Sequence, residues 1–231
     1  MRIPFSIADI VEKDDRKRIL FIDDIFDSWE SPTLKPMMEL LSEEFCCCRV
    51  FKDRRPDSAV TLARNSCIGP YKPNLIVAHG SGATIAAQIK GIEKVLIKPY
   101  YNTSNILKDM LGPKKLKARI ELPTLEKKEY LTITRSMVLD YKHLEIRALQ
   151  NGYNNNAHSL FFANDIETNT YKWHIEQFSD AVIIPGNSLL SPDGIDSATR
   201  FIRGIMELVK SPSPINEDDF DVWDDIETIY P

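Results

Sequence analysis

The chain has 231 residues, 43% of them hydrophobic and 27% charged, which is enough apolar content for one substantial core in a single domain. Charge is segregated. Residues 211–231 hold seven acidic side chains and no basic one, while the rest of the chain sets 29 basic against 27 acidic residues and lacks the clustered basic face of a nucleic-acid binder. No apolar run approaches the ~20 residues of a membrane helix, and residues 1–18 carry no signal-type apolar stretch, so the cytoplasm is the expected location and no membrane partner is expected.

After an N-terminal extension over 1–18, short apolar runs alternate with amphipathic stretches, the pattern of βα repeats and a mostly parallel sheet. The expected strands fall at 19–22, 46–51, 75–78, 95–97, 159–163 and 181–184. Helices are expected at about 34–44, 57–67, 83–90, 170–178 and 195–209. Pro56 with Asp57, and Pro192 with Asp193, supply starting signals for two of them. The fold class is therefore α/β, a three-layer α/β/α doubly wound sheet over 19–210. Residues 99–156 interrupt the rhythm after the fourth strand. They read as a helical insertion, with helices near 104–111, 126–130 and 137–148, serving either as a lid or as a structural excursion. The asparagine-rich stretch 151–156 reads as a turn.

Four cysteines occur, three of them adjacent at Cys46, Cys47 and Cys48, with Cys67 alone. Neighbours on a strand point to opposite faces, so the triplet cannot converge on one metal. Small buried hydrophobes in a reducing compartment is the expected role.

The most informative stretch is NLIVAHGSGATIAAQ, from Asn74 to Gln88: an apolar strand, a turn of small residues and an alanine-rich helix. A nucleophile elbow, G-x-S-x-G, requires that context. Aligning Ala78, His79, Gly80, Ser81 and Gly82 on the motif puts the nucleophile position at Gly80, which suits the strained backbone of an elbow but removes the reacting atom. Ser81 is the substitute nucleophile, although at a helix start a hydroxyl more often caps. His79 reads as a pocket-wall residue in a packing or hydrogen-bonding role.

From 19 to 209 the chain resembles the small bacterial esterase-like α/β-hydrolases of the YqiA and YcfP type. The residues that carry the resemblance are the elbow VAHGSGATIA, the strand KVLIKPYYNTSNILKDMLG, and the C-terminal pair SLFFANDIETNTYKWHIEQF and AVIIPGNSLLSPDGIDSATRFI. Lys98 stands where that family has Asn before Pro. The resemblance implies a triad in which Asp165 matches the aspartate and Ser188 occupies the histidine's place. The loop after the first strand, which forms the oxyanion site in the family, reads Asp23, Asp24, Ile25, Phe26, Asp27, and adjacent carboxylates repel an oxyanion. Loss of one triad member typically costs on the order of 10⁴ to 10⁶ in rate.

A receiver domain is imitated by ILFIDD, KPNLIVAH and VLIKP, but the acceptor position, His79 or beyond, has no aspartate, and only one helix separates it from Lys98 where a receiver needs two helices and a strand. A magnesium site from Asp23, Asp24 and Asp27, with Asp165, is conceivable; solvated loop acids are the expected alternative, and no metal or other cofactor is assigned. The leading expectation is a hydrolase-fold protein with a degenerate triad. It would bind a small molecule or a protein partner in the inherited cleft, lined by Asp23, Asp24, His79, Gly80 and Ser188, with Ser81 and Asp165 as the remaining catalytic candidates. The alternative is an active esterase or acyl hydrolase using Ser81 or a metal-activated water. The acidic segment 211–231, with Phe220, Val222, Trp223, Ile226 and Tyr230 interleaved, is expected to dock on its own domain or on a partner.

Overall fold

The computed structural model describes residues 15–28, 32–50, 55–68, 71–124, 128–150, 156–178 and 181–209. Residues 1–14, the acidic tail and all but the last residue of the asparagine-rich turn lie outside the described residues.

Six strands form one parallel sheet in the order β2-β1-β3-β4-β7-β8: β1 (Arg18–Ile22), β2 (Cys46–Arg49), β3 (Leu75–His79), β4 (Glu93–Ile97), β7 (Ala157–Phe162) and β8 (Val182–Ile184). Period-two alternation divides their side chains between two cores. Ile19, Phe21, Leu75, Val77, Val95 and Ile97 pack with the helices α1 (Leu34–Ser42) and α7 (Pro192–Leu208) on one face. Leu20, Ile22, Ile76, Ala78 and Leu96 pack on the other with α2 (Pro56–Ile68), α3 (Gly82–Ala86) and α5 (Arg135–Gln150). The protein is thus a three-layer α/β/α structure. The two proline signals hold: Pro56 opens α2, and Pro192 opens α7 behind Ser191.

The cysteine triplet behaves as its alternation requires, with Cys46 and Cys48 on one core, Cys47 on the other, and all four thiols free. Burial pushes the Cys47 thiol up to about 11 and the Cys67 thiol up to about 12, which makes them poor nucleophiles.

The excursion between β4 and β7 is not wholly helical. It runs α4 (Thr103–Leu111), β5 (Lys117–Leu122), β6 (Glu129–Thr134) and α5, and the two strands pair antiparallel as a separate hairpin. The expected helix at 126–130 is replaced by the start of β6; residues 125–127 lie outside the described set. KARIEL and EYLTIT alternate, and their inward members Leu122, Leu131 and Ile133 join Leu107, Leu111, Met137 and Tyr141 in a third core. Ile25, from the loop after β1, is buried in that same core, so the insertion is packed onto the site loop. The last described helix, α6 (Asn169–Phe178), follows a short 3-10 turn over Ala163–Asp165.

Candidate functional site

The chain leaves β1 for β2 on one side and then returns to β3 on the other, so the switch point of the sheet lies between the carboxyl ends of β1 and β3. There the loop Asp23–Asp27 meets the turn His79–Gly80–Ser81. Gly80 has φ +55°, a conformation glycine adopts without strain. A Cβ on it would lie 2.7 Å from the Asp24 carboxyl carbon and 2.9 Å from Tyr100 Cε1, and would overlap Asp24 Oδ2. The space that a side chain at position 80 would need is therefore filled by the Asp24 carboxylate. Gly82 is required for packing, since a Cβ there would be 2.5 Å from the Ile22 carbonyl oxygen.

Hydroxyls and amides surround Asp24. Tyr100 Oη donates to it, 2.6 and 2.5 Å from its two oxygens; Ser81 Oγ donates at 2.8 Å and the Phe26 N–H at 3.2 Å. Ser81 Oγ in turn accepts from the Ile25 N–H at 2.9 Å. It does not cap α3, which departs from the expectation for a hydroxyl at that position. Tyr141, 3% exposed, stands near enough that its phenol is pushed up, first by burial and then by the Asp24 charge. Burial raises the Asp24 carboxyl above its usual range; the His79 charge and the Tyr100 and Ser81 hydrogen bonds oppose that rise, while Asp27 adds to it.

Asp27 Oδ2 lies 2.8 Å from His79 Nδ1 and 3.3 Å from the Asp24 N–H, and its Oδ1 accepts from Thr33 Oγ1 at 3.0 Å. Burial alone would lower the imidazole, but the charge and hydrogen bond of Asp27, with Asp24 and Asp23 adding, carry it up to about 9. His79 is thus a cation at neutral pH. Its ordinary value is 6.5; the stabilisation from this pairing is complete below that pH and is lost as pH rises through about 9. The shift corresponds to on the order of 3 kcal/mol. Wild type is expected to exceed His79→Gln in urea midpoint by a wide margin at pH 6, with the margin shrinking towards pH 10. A margin independent of pH would show that the pair does not titrate with folding.

The other expected site residues go elsewhere. Asp23 pairs with Arg49 Nε at 2.6 Å, and Arg49 also donates to the Ser28 carbonyl. The three loop acids are 9%, 8% and 4% exposed, so they are not solvated loop acids. Each turns to a different partner, and among the described residues no group of three acidic, histidine or cysteine side chains is arranged to hold a metal ion. Asp165 accepts from Lys98 Nζ at 2.5 Å and from the Phe162 N–H at 3.1 Å. Ser188 belongs to the turn before α7, where its Oγ accepts from the Leu190 N–H and its carbonyl from Ser191 Oγ. No imidazole is among the hydrogen-bond partners of Ser81 or Asp165 in the described residues: His158 bonds Glu93 at 2.7 Å, His174 is buried in α6, and His143 is exposed on α5.

Tyr100, Tyr141 and Arg49 are the members of the site that sequence reading passed over. Tyr100 carried a signal, since it follows β4 within the KPYYN stretch at a strand's carboxyl end. It also forms one wall of a cleft of about 190 Å³ lined with Tyr101, Asn102, Asn169, Thr170 and Trp173. Tyr101 and Trp173 pack with ring centroids 6.0 Å apart.

No family model and no curated protein matches the chain. Solved structures do resemble it. An esterase from Butyrivibrio proteoclasticus with ferulic acid bound aligns at TM-score 0.59 and 14% identity, covering 86% of this chain and 91% of that one. An esterase domain from Rhodothermus marinus aligns at 0.58 and 10%, covering 84% and 88%. A variant of tomato methylketone synthase I complexed with β-ketoheptanoate aligns at 0.59 and 8%, covering 85% and 99%. The chain has the α/β-hydrolase fold. Among the described residues no helix is long and apolar enough to cross a membrane.

Proposed function

We propose that this is a hydrolase-fold protein that has exchanged acyl transfer for binding, and that it holds an uncharged small molecule in the cleft between the end of β4 and α6. One observation carries the reading: the Asp24 carboxylate occupies the space that a side chain at position 80 would need. The oxyanion site is filled in the same way. The N–H groups of Asp24, Ile25 and Phe26, which would face a developing negative charge in an esterase, are held by Asp27 Oδ2, Ser81 Oγ and Asp24 Oδ1. For Ser81 to attack an ester its hydroxyl would have to leave Asp24 and reach the surface, from which it is fully buried. The cleft walls offer aromatic faces, two carboxamides and a hydroxyl, and no charged side chain, the lining of a site for a neutral ligand. Tyr100 joins the two regions, with its ring on the cleft and its hydroxyl on Asp24.

The test is an assay of the purified protein on short-chain nitrophenyl esters, with and without divalent metal, beside Ser81→Ala and Asp165→Asn. No turnover above background is expected in any of the three. Turnover that disappears in Ser81→Ala, or that requires the metal, would return the protein to the working acyl hydrolases. Binding is read separately. A neutral aromatic or sugar probe from a small library should shift the melting temperature of wild type, and Trp173→Ala should abolish the shift. An unchanged shift in Trp173→Ala would remove the cleft from the proposal.

A further inference from the structure

Helix α5 buries Tyr141, Leu144 and Ala148 and turns the opposite side to solvent. On that side Arg135, Leu139, Lys142, His143, Ile146 and Leu149 are exposed, with Leu139 at 54%, Ile146 at 44% and Leu149 at 41%. At ~100° per residue the six fall within an arc of about 120°. Apolar and basic side chains alternate along this strip. Its only acidic neighbours on the helix are off the arc: Glu145 is buried against Ser104, and Asp140 is half-buried. Among the described residues neither Arg135 nor Lys142 has an ion-pair partner.

The chain carries the complementary pattern in its own acidic segment, which lies outside the described residues. Over 217–227 seven carboxylates alternate with Phe220, Val222, Trp223 and Ile226. The place where the chain leaves the domain favours the contact. Lys17, just ahead of β1, donates to the carbonyls of Met206 at 2.5 Å and Val209 at 3.0 Å, so α7 ends where β1 begins. Helix α5 ends seven residues before β7 begins, at the same end of the sheet. The α5 and α7 layers stand on the order of 20 Å apart across the sheet. The eight residues 210–217 span about 26 Å when extended, which brings the acidic run within reach. We infer that residues 217–227 dock in cis on the outer strip of α5, with Phe220, Trp223 and Ile226 on its aliphatic side chains and the carboxylates on Arg135 and Lys142.

Zero-length carbodiimide coupling of the full chain, mapped by peptide mass spectrometry, tests this. An intrachain link from Lys142 to a carboxylate in 217–227 is expected, at a yield independent of protein concentration. That yield should fall about tenfold in Leu139→Ser/Ile146→Ser, where two aliphatic contacts are lost, and similarly at about 1 M salt, where surface attraction is screened. Phe220→Ala/Trp223→Ala, which alters only the tail, should match the helix variant. Coupling that runs equally through Lys114, Lys115 and Lys117, that appears only in chain dimers, or that ignores both sets of variants overturns the proposal.

Discussion

Placing serine at position 80 is expected to destabilise the protein by about 3 kcal/mol and to yield no esterase. Two costs add. A non-glycine residue at a positive φ costs on the order of 1–2 kcal/mol, and forcing a side chain into filled space adds on the order of 1–3 kcal/mol. The filled space is that of the Asp24 carboxylate, whose Oδ2 the new Cβ would overlap, and of the Tyr100 ring, whose Cε1 would stand 2.9 Å from it. Asp24 cannot move aside cheaply, because Tyr100, Ser81 and the Phe26 N–H all donate to it. Asp24 supplies the closer part of the clash, and a double-mutant cycle isolates its share. Asp24→Ala/Gly80→Ser should be more stable than the sum of the two single changes predicts, by at least ~1.5 kcal/mol, as read by urea unfolding. Additivity would mean that Asp24 does not fill the space a side chain at position 80 needs. No hydrolysis is expected from the double variant either, since the imidazole next to position 80, His79, is committed through Nδ1 to Asp27.

How much of this was legible in the sequence follows from the range of the interactions. The sheet was legible because each strand announces itself within four or five residues, in runs such as ILFI and LIVA, and because Pro56 and Pro192 mark helix starts. The hairpin of β5 and β6 was missed because its strands are half-polar, as strands with one solvated face are, and KARIEL reads equally well as a loop. The bend at Gly80, with its positive φ, was legible from the small residues of the turn itself. The inward turn of Asp24 was not. It depends on Ser81, 57 residues away, and Tyr100, 76 residues away, both of which bring their hydroxyls to it in the fold. Residue type argues the other way, since aspartate is seldom buried without a partner, and the partners are visible only once the ends of β1, β3 and β4 are side by side. The same reasoning covers Asp23, whose burial depends on Arg49 at the end of β2.

Replacing Lys94 by methionine is expected to stabilise the protein by about 2–3 kcal/mol at pH 7, an unusual direction for a change at a wholly buried site. The sequence pattern begins the fourth strand at 95, which leaves Lys94 outside it. The strand in fact starts at Glu93, with Lys94 opposite Ile76 and Ala157. Period two then aims its side chain into the same face as Leu96. It is 1% exposed, with its ammonium donating to the Ile92 carbonyl at 2.8 Å. Burial depresses it from 10.5 to about 8, against the smaller upward pulls of Cys67 and Glu93, a shift worth on the order of 3 kcal/mol. Below pH 8 the amine is charged in both folded and unfolded chains, and the folded state bears the full cost. Between about 8 and 10.5 the folded chain sheds its proton first, so stability from this group rises with pH. The His79 pairing falls away over pH 6.5 to 9, and the two slopes partly cancel in the wild type. Lys94→Met removes the rising one, so its urea midpoint should exceed wild type at pH 7 and fall more steeply towards pH 9.5. A Lys94→Met protein less stable than wild type at pH 7 would show that the ammonium is held by more than the Ile92 carbonyl, and that its burial is a net gain to the fold.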